Sequence, residues 1–136
     1  MNYDLFKYQM KMLKLYREYK EDLQDEIEEI IYQYCGVKGI AYDKDTSISN
    51  PYGNDEKLIL LSQKLEEPQK ALEVTEKAIK ELEPIVNSYL TRLPAEIKEV
   101  VIKKYWENKT FEQLGKEVGY SNYGIWARVK KEVLKL

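Results

Sequence analysis

The sequence has no histidine and a single cysteine, Cys35, among its 136 residues. One cysteine cannot form an intrachain disulfide, and a catalytic thiol would need a histidine partner that this chain lacks. We interpret Cys35 as a small packed hydrophobe, and the protein as either cytosolic or indifferent to redox conditions. Because the chain also has no glycine-rich phosphate loop and no cluster of metal ligands, we expect no enzymatic activity, no cofactor and no metal site.

Long apolar runs are missing as well. A membrane-spanning helix needs about 20 consecutive apolar residues, and no part of the sequence approaches that length. The N-terminal segment MNYDLFKYQMKM lacks the apolar centre of a signal peptide. We therefore expect a cytoplasmic protein with no membrane partner.

Charge is abundant and unevenly distributed. Charged residues make up 34% of the chain and hydrophobic residues 43%, a balance that is typical of a helix-rich globular protein. Residues 1–90 contain 12 Lys/Arg and 18 Asp/Glu, a balance of −6, whereas residues 91–136 contain 10 and 6, a balance of +4. A basic C-terminal end on an acidic body favours contact with nucleic acid at that end.

Apolar residues recur at steps of three or four through the first quarter of the chain. The positions are Leu5, Tyr8, Met12, Leu15, Tyr19, Leu23, Ile27, Ile30 and Tyr34. This spacing predicts one long amphipathic helix with these residues on its inward face. The acidic run EDLQDEIEE at 21–29 falls on the polar face, and we interpret it as solvated surface.

A loop is predicted at about 35–55, where Gly, Ser, Asn and Asp accumulate. A second, heptad-like stripe follows, formed by Leu58, Leu61, Leu65, Pro68, Leu72, Thr75, Ile79, Leu82, Val86 and Tyr89. Pro68 and Pro84 remove helical hydrogen bonds, so we expect a kinked helix or two or three shorter ones. The two stripes predict a helical hairpin over residues 1–90 that drives homo-oligomerisation; the alternative is that they pack only within one chain.

The last segment, residues 91–136, predicts three shorter helices. The first, at 93–106, has Pro94 in its first turn and Ile97, Val100, Val101 and Tyr105 facing inward. Thr110 and Gln113 predict a capping box for the second, at 110–119, which Gly119 ends. Ser121 is the predicted N-cap of the third helix, whose expected buried residues are Ile125, Val129, Val133 and Leu136.

Two short helices joined by a glycine-containing turn are typical of a helix-turn-helix, whose second helix enters the major groove of DNA. Its outward residues near the N-terminus are the predicted base readers: Asn122, Tyr123 and Trp126. The predicted phosphate anchors are Lys109, Thr110, Arg128, Lys130 and Lys131. Ser121 completes this set of DNA-binding candidates through its position at the helix start.

Each candidate also has a structural interpretation. Trp126 could belong to the core, and Tyr123 could pack on the preceding helix. Lys130 and Lys131 could be solvated surface, and Arg128 could pair with Glu132 one turn later. The sequence leaves these alternatives open.

The stretch LPAEIKEVVIKKYWENKT, followed by FEQLGKEVGYS and IWARVKK, resembles region 4 of the sigma-70 factors. The final match places Ile125, Arg128, Val129 and Lys131 on the family's positions. With the preceding loop piece VKGIAYDKD, the layout resembles small phage transcriptional activators of the ArpU/RinA-like group. This resemblance implies an activator of late phage genes, with RNA polymerase as a further partner.

The sequence therefore predicts an all-α protein that binds double-stranded DNA as a sequence-specific transcriptional regulator. An oligomeric DNA-packaging protein, such as a small terminase subunit, is the alternative, because it also joins a helix-turn-helix to an oligomerising coil. A second alternative is a protein-interaction module that acts on RNA polymerase and uses the C-terminal segment as a packing surface.

Overall fold

The computed structural model describes residues 1–35 and 54–136, and within these ranges every regular element is a helix. The helices are α1 (Tyr3–Cys35), α2 (Asn54–Arg92), α3 (Ala95–Tyr105), α4 (Phe111–Val118) and α5 (Asn122–Leu134). The expected all-α class is confirmed for this part of the chain. Most of the loop predicted at about 35–55 lies outside the described residues. None of the described helices has a stretch apolar and long enough to cross a lipid bilayer.

The chain divides into two compact units. The first unit combines Met1–Arg17 with Ala78–Leu136, so it contains the first turns of α1 and all of α3, α4 and α5. The second unit is Glu18–Lys77. The N-terminal turns of the chain therefore belong with its C-terminal helices.

The core of the first unit draws on all of its helices. Its buried side chains are Phe6, Met10, Leu13, Val86, Leu90, Leu93, Ile97, Val100, Val101, Tyr105, Leu114, Ile125, Val129 and Val133. Phe6 is at its centre, with its ring 5.9 Å from the ring of Tyr89 and 6.3 Å from that of Tyr105. The hydroxyls of Tyr3 and Tyr105 share a hydrogen bond, and burial raises the pKa of both phenols.

The inward face predicted for the start of α1 is wrong, because the structure buries a different side of the helix. Leu5 is 48% exposed and Tyr8 60%, whereas Phe6 and Met10 are fully buried. Both sets recur at helical spacing, so periodicity alone does not distinguish them. The set with Phe6 is buried because its aromatic ring meets two tyrosines from α2 and α3. Further along α1, Leu23 is buried as expected.

The two prolines do not divide α2, which is one helix of 39 residues. Of the two expectations, a kinked helix or two or three shorter ones, the division into shorter helices is therefore wrong. A proline removes one backbone donor, and the hydrogen bonds on either side of it are enough to maintain a long helix. Pro68 is buried in the second unit, and Pro84 is exposed in the first.

The second unit buries few side chains among its described residues. Leu65 is 7% exposed and Thr75 only 5%. The Thr75 hydroxyl donates a hydrogen bond of 2.7 Å to the carbonyl oxygen of Ala71, which makes its burial tolerable. Lys20 and Glu76 join α1 to α2 through an ion pair of 3.9 Å.

Neighbouring substitutions in α1 test which face is buried. Phe6→Ala should lower the free energy of unfolding by about 3–5 kcal/mol, because it opens a cavity between two tyrosine rings. Leu5→Ala is the matched control, and we expect a loss of less than about 1 kcal/mol from this half-exposed position. Urea denaturation of both variants measures the difference. A larger loss for Leu5→Ala would restore the face predicted from the sequence.

Candidate nucleic-acid interface

Helices α3, α4 and α5 pack on one another in the first unit. The buried residues of α3 are Ile97, Val100, Val101 and Tyr105, as the sequence predicts. Those of α5 are Ile125, Val129 and Val133, again as predicted, whereas Leu136 is only partly buried. This packing fixes which residues of α5 remain on the outside.

The connection from α3 to α4 is held in place by α1. The indole Nε1 of Trp106 donates a hydrogen bond of 3.1 Å to the carbonyl oxygen of Met10, and the Arg17 guanidinium lies 4.9 Å from the centre of the indole. Asn108 has a φ of 59°, a left-handed conformation that asparagine tolerates better than most residues. Its Oδ1 accepts a hydrogen bond of 2.6 Å from Lys14. The start of α4 is positioned by these contacts.

The predicted capping box at the start of α4 is confirmed. The Thr110 hydroxyl accepts a hydrogen bond of 3.1 Å from the Gln113 amide, and the Gln113 side chain accepts one of 3.1 Å from the Thr110 amide. The Thr110 oxygen is thus already used within the chain. Its remaining hydrogen atom is available to donate to an anion, since a hydroxyl both donates and accepts.

The turn between α4 and α5 depends on two glycines. Gly119 has a φ of 81°, the left-handed conformation expected of a helix C-cap. Gly115 lies inside α4, and a Cβ added there would stand 2.4 Å from the carbonyl oxygen of Tyr120. The Tyr120 amide also donates a hydrogen bond of 2.8 Å to the Gly115 carbonyl. The sequence predicts that Gly119 ends α4 but does not indicate the role of Gly115, which follows from this close backbone approach.

The first two turns of α5 present a polar and aromatic surface. Ser121 caps the helix by accepting a hydrogen bond of 3.0 Å from the Gly124 amide. Asn122 is exposed, and Tyr123 is 74% exposed, so the alternative that Tyr123 packs on the preceding helix is wrong. Trp126 is partly buried, with its ring 5.6 Å from that of Tyr123. We call Asn122, Tyr123 and Trp126 the α5 outer face.

Basic residues of α5 occupy three different environments. The Lys130 ammonium lies 4.9 Å from the centre of the Trp126 ring and places a positive charge next to that ring. Lys131 is exposed. Arg128 donates to the Tyr120 hydroxyl and pairs with Glu96 of α3 at 3.6 Å. The ion pair with Glu132 suggested by the sequence is replaced by these contacts.

Lys109 is held by a carboxylate of α4. Its ammonium lies 2.9 Å from one oxygen of Glu117, and the other oxygen of Glu117 lies 3.3 Å from Lys103 of α3. Lys103 also pairs with Glu99 at 3.0 Å. Hydrogen bonds from Lys109 and then Lys103 lower the pKa of the Glu117 carboxyl, and hydrogen bonds to Glu99 and then Glu117 raise that of Lys103. Glu117 is therefore ionised at neutral pH.

The predicted site residues fall into two groups along the chain. Ser121 and the candidates that follow it lie on α5 or at its start, while Lys109 and Thr110 lie at the start of α4. The carboxylates Glu96 and Glu117 were not predicted as parts of the site. Glu96 is 32 residues from Arg128, and Glu117 is eight residues from Lys109. Neither pair lies within a single helix, so the pairing of side chains three or four residues apart does not predict them. Counting the Lys and Arg residues in the sequence therefore overestimates the positive charge that these residues offer to a ligand.

No protein-family model, curated protein or solved structure shows significant similarity to this chain.

Substitution of Gly115 tests the turn that aligns α4 with α5. Gly115→Ala should lower the free energy of unfolding by about 1–3 kcal/mol, because the new methyl group would overlap the backbone carbonyl of Tyr120 and the turn would have to shift. Lys116→Ala, at the next and exposed position, should change it by less than about 0.5 kcal/mol. Thermal and urea unfolding measure the free energy of unfolding of both variants. Equal stability of the two variants would mean that the turn is not constrained at Gly115.

Proposed function

We propose that this protein is a sequence-specific DNA-binding transcriptional regulator whose α4 and α5 form a helix-turn-helix. The observation that carries the proposal is the α5 outer face. Its amide and two aromatic rings are presented at the beginning of a helix whose other side is buried. Readers of the major groove present side chains from the N-terminal half of the recognition helix in this way.

The surface supports a division between base and phosphate contacts. The Asn122 amide suits bidentate hydrogen bonding to adenine, and the Tyr123 and Trp126 rings suit contact with thymine methyl groups. Lys130 and Lys131 lie later in α5, where phosphate contacts are expected. Thr110 and Lys109, at the start of α4, suit a phosphate at a helix N-terminus. Arg128 suits the same role if its pairing with Glu96 is given up on binding.

The finer architecture that we propose is a helical hairpin over residues 1–90 and a DNA-binding domain over 91–136. Contacts within the first unit agree with an antiparallel pairing, since Phe6 meets Tyr89 and Arg17 pairs with Glu83 at 3.4 Å. The resemblance to the sigma-70 region 4 and to ArpU/RinA-like activators motivates the role of a phage or prophage late-gene activator. RNA polymerase is the protein partner which that resemblance implies.

Binding to DNA at two salt concentrations tests the function directly. The purified full chain is titrated into a duplex of random sequence and into DNA from upstream of the operon next to its own gene. A regulator should prefer the upstream DNA and bind both more weakly at high salt, because phosphate contacts release counterions. A ring of many subunits in sedimentation would favour the DNA-packaging alternative. Failure to bind either duplex would contradict the proposal and favour a protein partner.

Two substitutions on α5 separate base reading from phosphate anchoring. Asn122→Ala should reduce discrimination at one base pair by about 1–3 kcal/mol and leave binding to random DNA nearly unchanged. Lys131→Ala should weaken binding to every sequence and lower the salt slope by about one. Both positions are exposed, so neither change should affect folding. Fluorescence anisotropy with a matched and a mismatched duplex measures both effects, and identical behaviour of the variants would contradict the assigned roles.

We also propose that the chain acts as a homo-oligomer, because regulators of this type bind two-fold sites as two-fold assemblies. The exposed apolar side of α1 in the first unit is the candidate contact between copies. Leu5, Tyr8 and Leu15 are each about half exposed, at 48%, 60% and 53%, and lie on one side of the helix with Met12. Steps of three and four between them match the spacing that packs one helix against another in a coiled coil.

Sedimentation velocity tests this contact. The double substitution Tyr8→Ser with Leu15→Ser should convert the oligomer to a monomer without loss of helix content, because both side chains are exposed within the chain. Val118→Ser removes an exposed apolar side chain from α4 and should leave the mass unchanged. An unchanged mass for the α1 variant would place the contact elsewhere.

A further inference from the structure

Three charged side chains from separate parts of the first unit converge beside α4. Lys103 comes from α3, Lys109 from the connection that follows it, and Glu117 from the last turn of α4. One carboxylate oxygen of Glu117 lies 2.9 Å from Lys109 and the other 3.3 Å from Lys103. The two ammonium groups therefore already point to one place, and an anion occupies it.

The occupying anion belongs to the protein itself. A DNA phosphate has the same charge sign and the same capacity to accept hydrogen bonds from two ammonium groups. All three side chains are partly exposed, at 26% for Lys103, 36% for Lys109 and 41% for Glu117. Ion pairs in contact with water are weak and are exchanged readily. A phosphate reaching this surface would meet two lysines that are correctly oriented and one carboxylate that competes for them.

We propose that Glu117 is an internal competitor for DNA phosphate, and that Lys103 is a further phosphate contact which Glu117 masks together with Lys109. This inference rests on the proposed DNA-binding function and adds a regulatory element to it. The carboxylate weakens binding to all sequences alike, because it acts on phosphate contacts and not on the α5 outer face. The ratio of the affinities for preferred and random DNA is therefore unchanged, while the affinity for both is lower.

The isosteric substitution Glu117→Gln tests the competition. It removes the negative charge and retains the shape and an oxygen acceptor for one lysine. One additional neutralised phosphate should tighten binding by about eightfold at about 0.1 M salt and steepen the salt slope by about 0.9. We expect this gain for both a random duplex and the preferred sequence, so that discrimination between them does not increase.

Glu112→Gln is the matched control. Glu112 lies on the same helix, and the substitution changes the net charge by the same amount. Among the residues that the structure describes, Glu112 pairs only with Lys116, one turn later on α4, at 3.8 Å. This control should therefore tighten binding much less than Glu117→Gln, through the general change of charge alone. Circular dichroism and thermal unfolding establish that both variants are folded before binding is compared.

Lys109→Gln in both backgrounds provides the second readout. Loss of the Lys109 ammonium should weaken DNA binding more in the Glu117→Gln protein than in the wild type. In the wild type, the ammonium is already paired with Glu117, whereas in the Glu117→Gln protein it is free to hold a phosphate. Equal binding by the Glu117→Gln and Glu112→Gln proteins, or an equal effect of Lys109→Gln in both backgrounds, would overturn the inference while the DNA-binding function stands. If neither the wild type nor the Glu117→Gln protein binds duplex, the proposed function fails and the inference with it. Duplex binding that appears only in the Glu117→Gln protein would support both.

Discussion

Burial of the first turns of α1 against the C-terminal helices is the interaction on which the rest of the first unit depends. Phe6 and Met10 supply the centre of the core, and the Met10 carbonyl receives the Trp106 indole. Through Trp106 and Asn108, the same helix sets the backbone that leads into α4. The α4–α5 pair is therefore oriented by a helix from the other end of the chain.

The structural features that the sequence predicts correctly are contacts between residues close together in the chain. The capping box of Thr110 and Gln113, the left-handed Gly119 and the Ser121 cap each involve residues within four positions of one another, and each is confirmed. The predicted face of α1 fails because two apolar stripes share one period, and only contact with Tyr89 and Tyr105 selects between them. Helix caps can be predicted from the sequence, whereas tertiary packing decides which of two equivalent apolar faces of a helix is buried.

The same distinction applies to the candidate site. The exposure of Asn122 and Tyr123 follows from the burial of Ile125 and Val129 on the other side of α5, which periodicity predicts. The pairing of basic residues with carboxylates is different, because Glu96 and Glu117 reach Arg128 and Lys109 across separate helices. A basic segment of sequence thus becomes a surface where much of the positive charge is already balanced, and where α5 exposes the amide of Asn122 and the ring of Tyr123.

The closeness of the chain's two ends has a consequence for how the protein is made. Tyr3 and Tyr105 are 102 positions apart, and Met10 and Trp106 are 96 apart. During synthesis, the first turns of α1 leave the ribosome before α3 and α5 do, so Phe6 and Met10 lack these core partners until those helices have emerged. Bringing the distant segments together closes a long loop, which adds an entropic cost that the local contacts within each helix do not have.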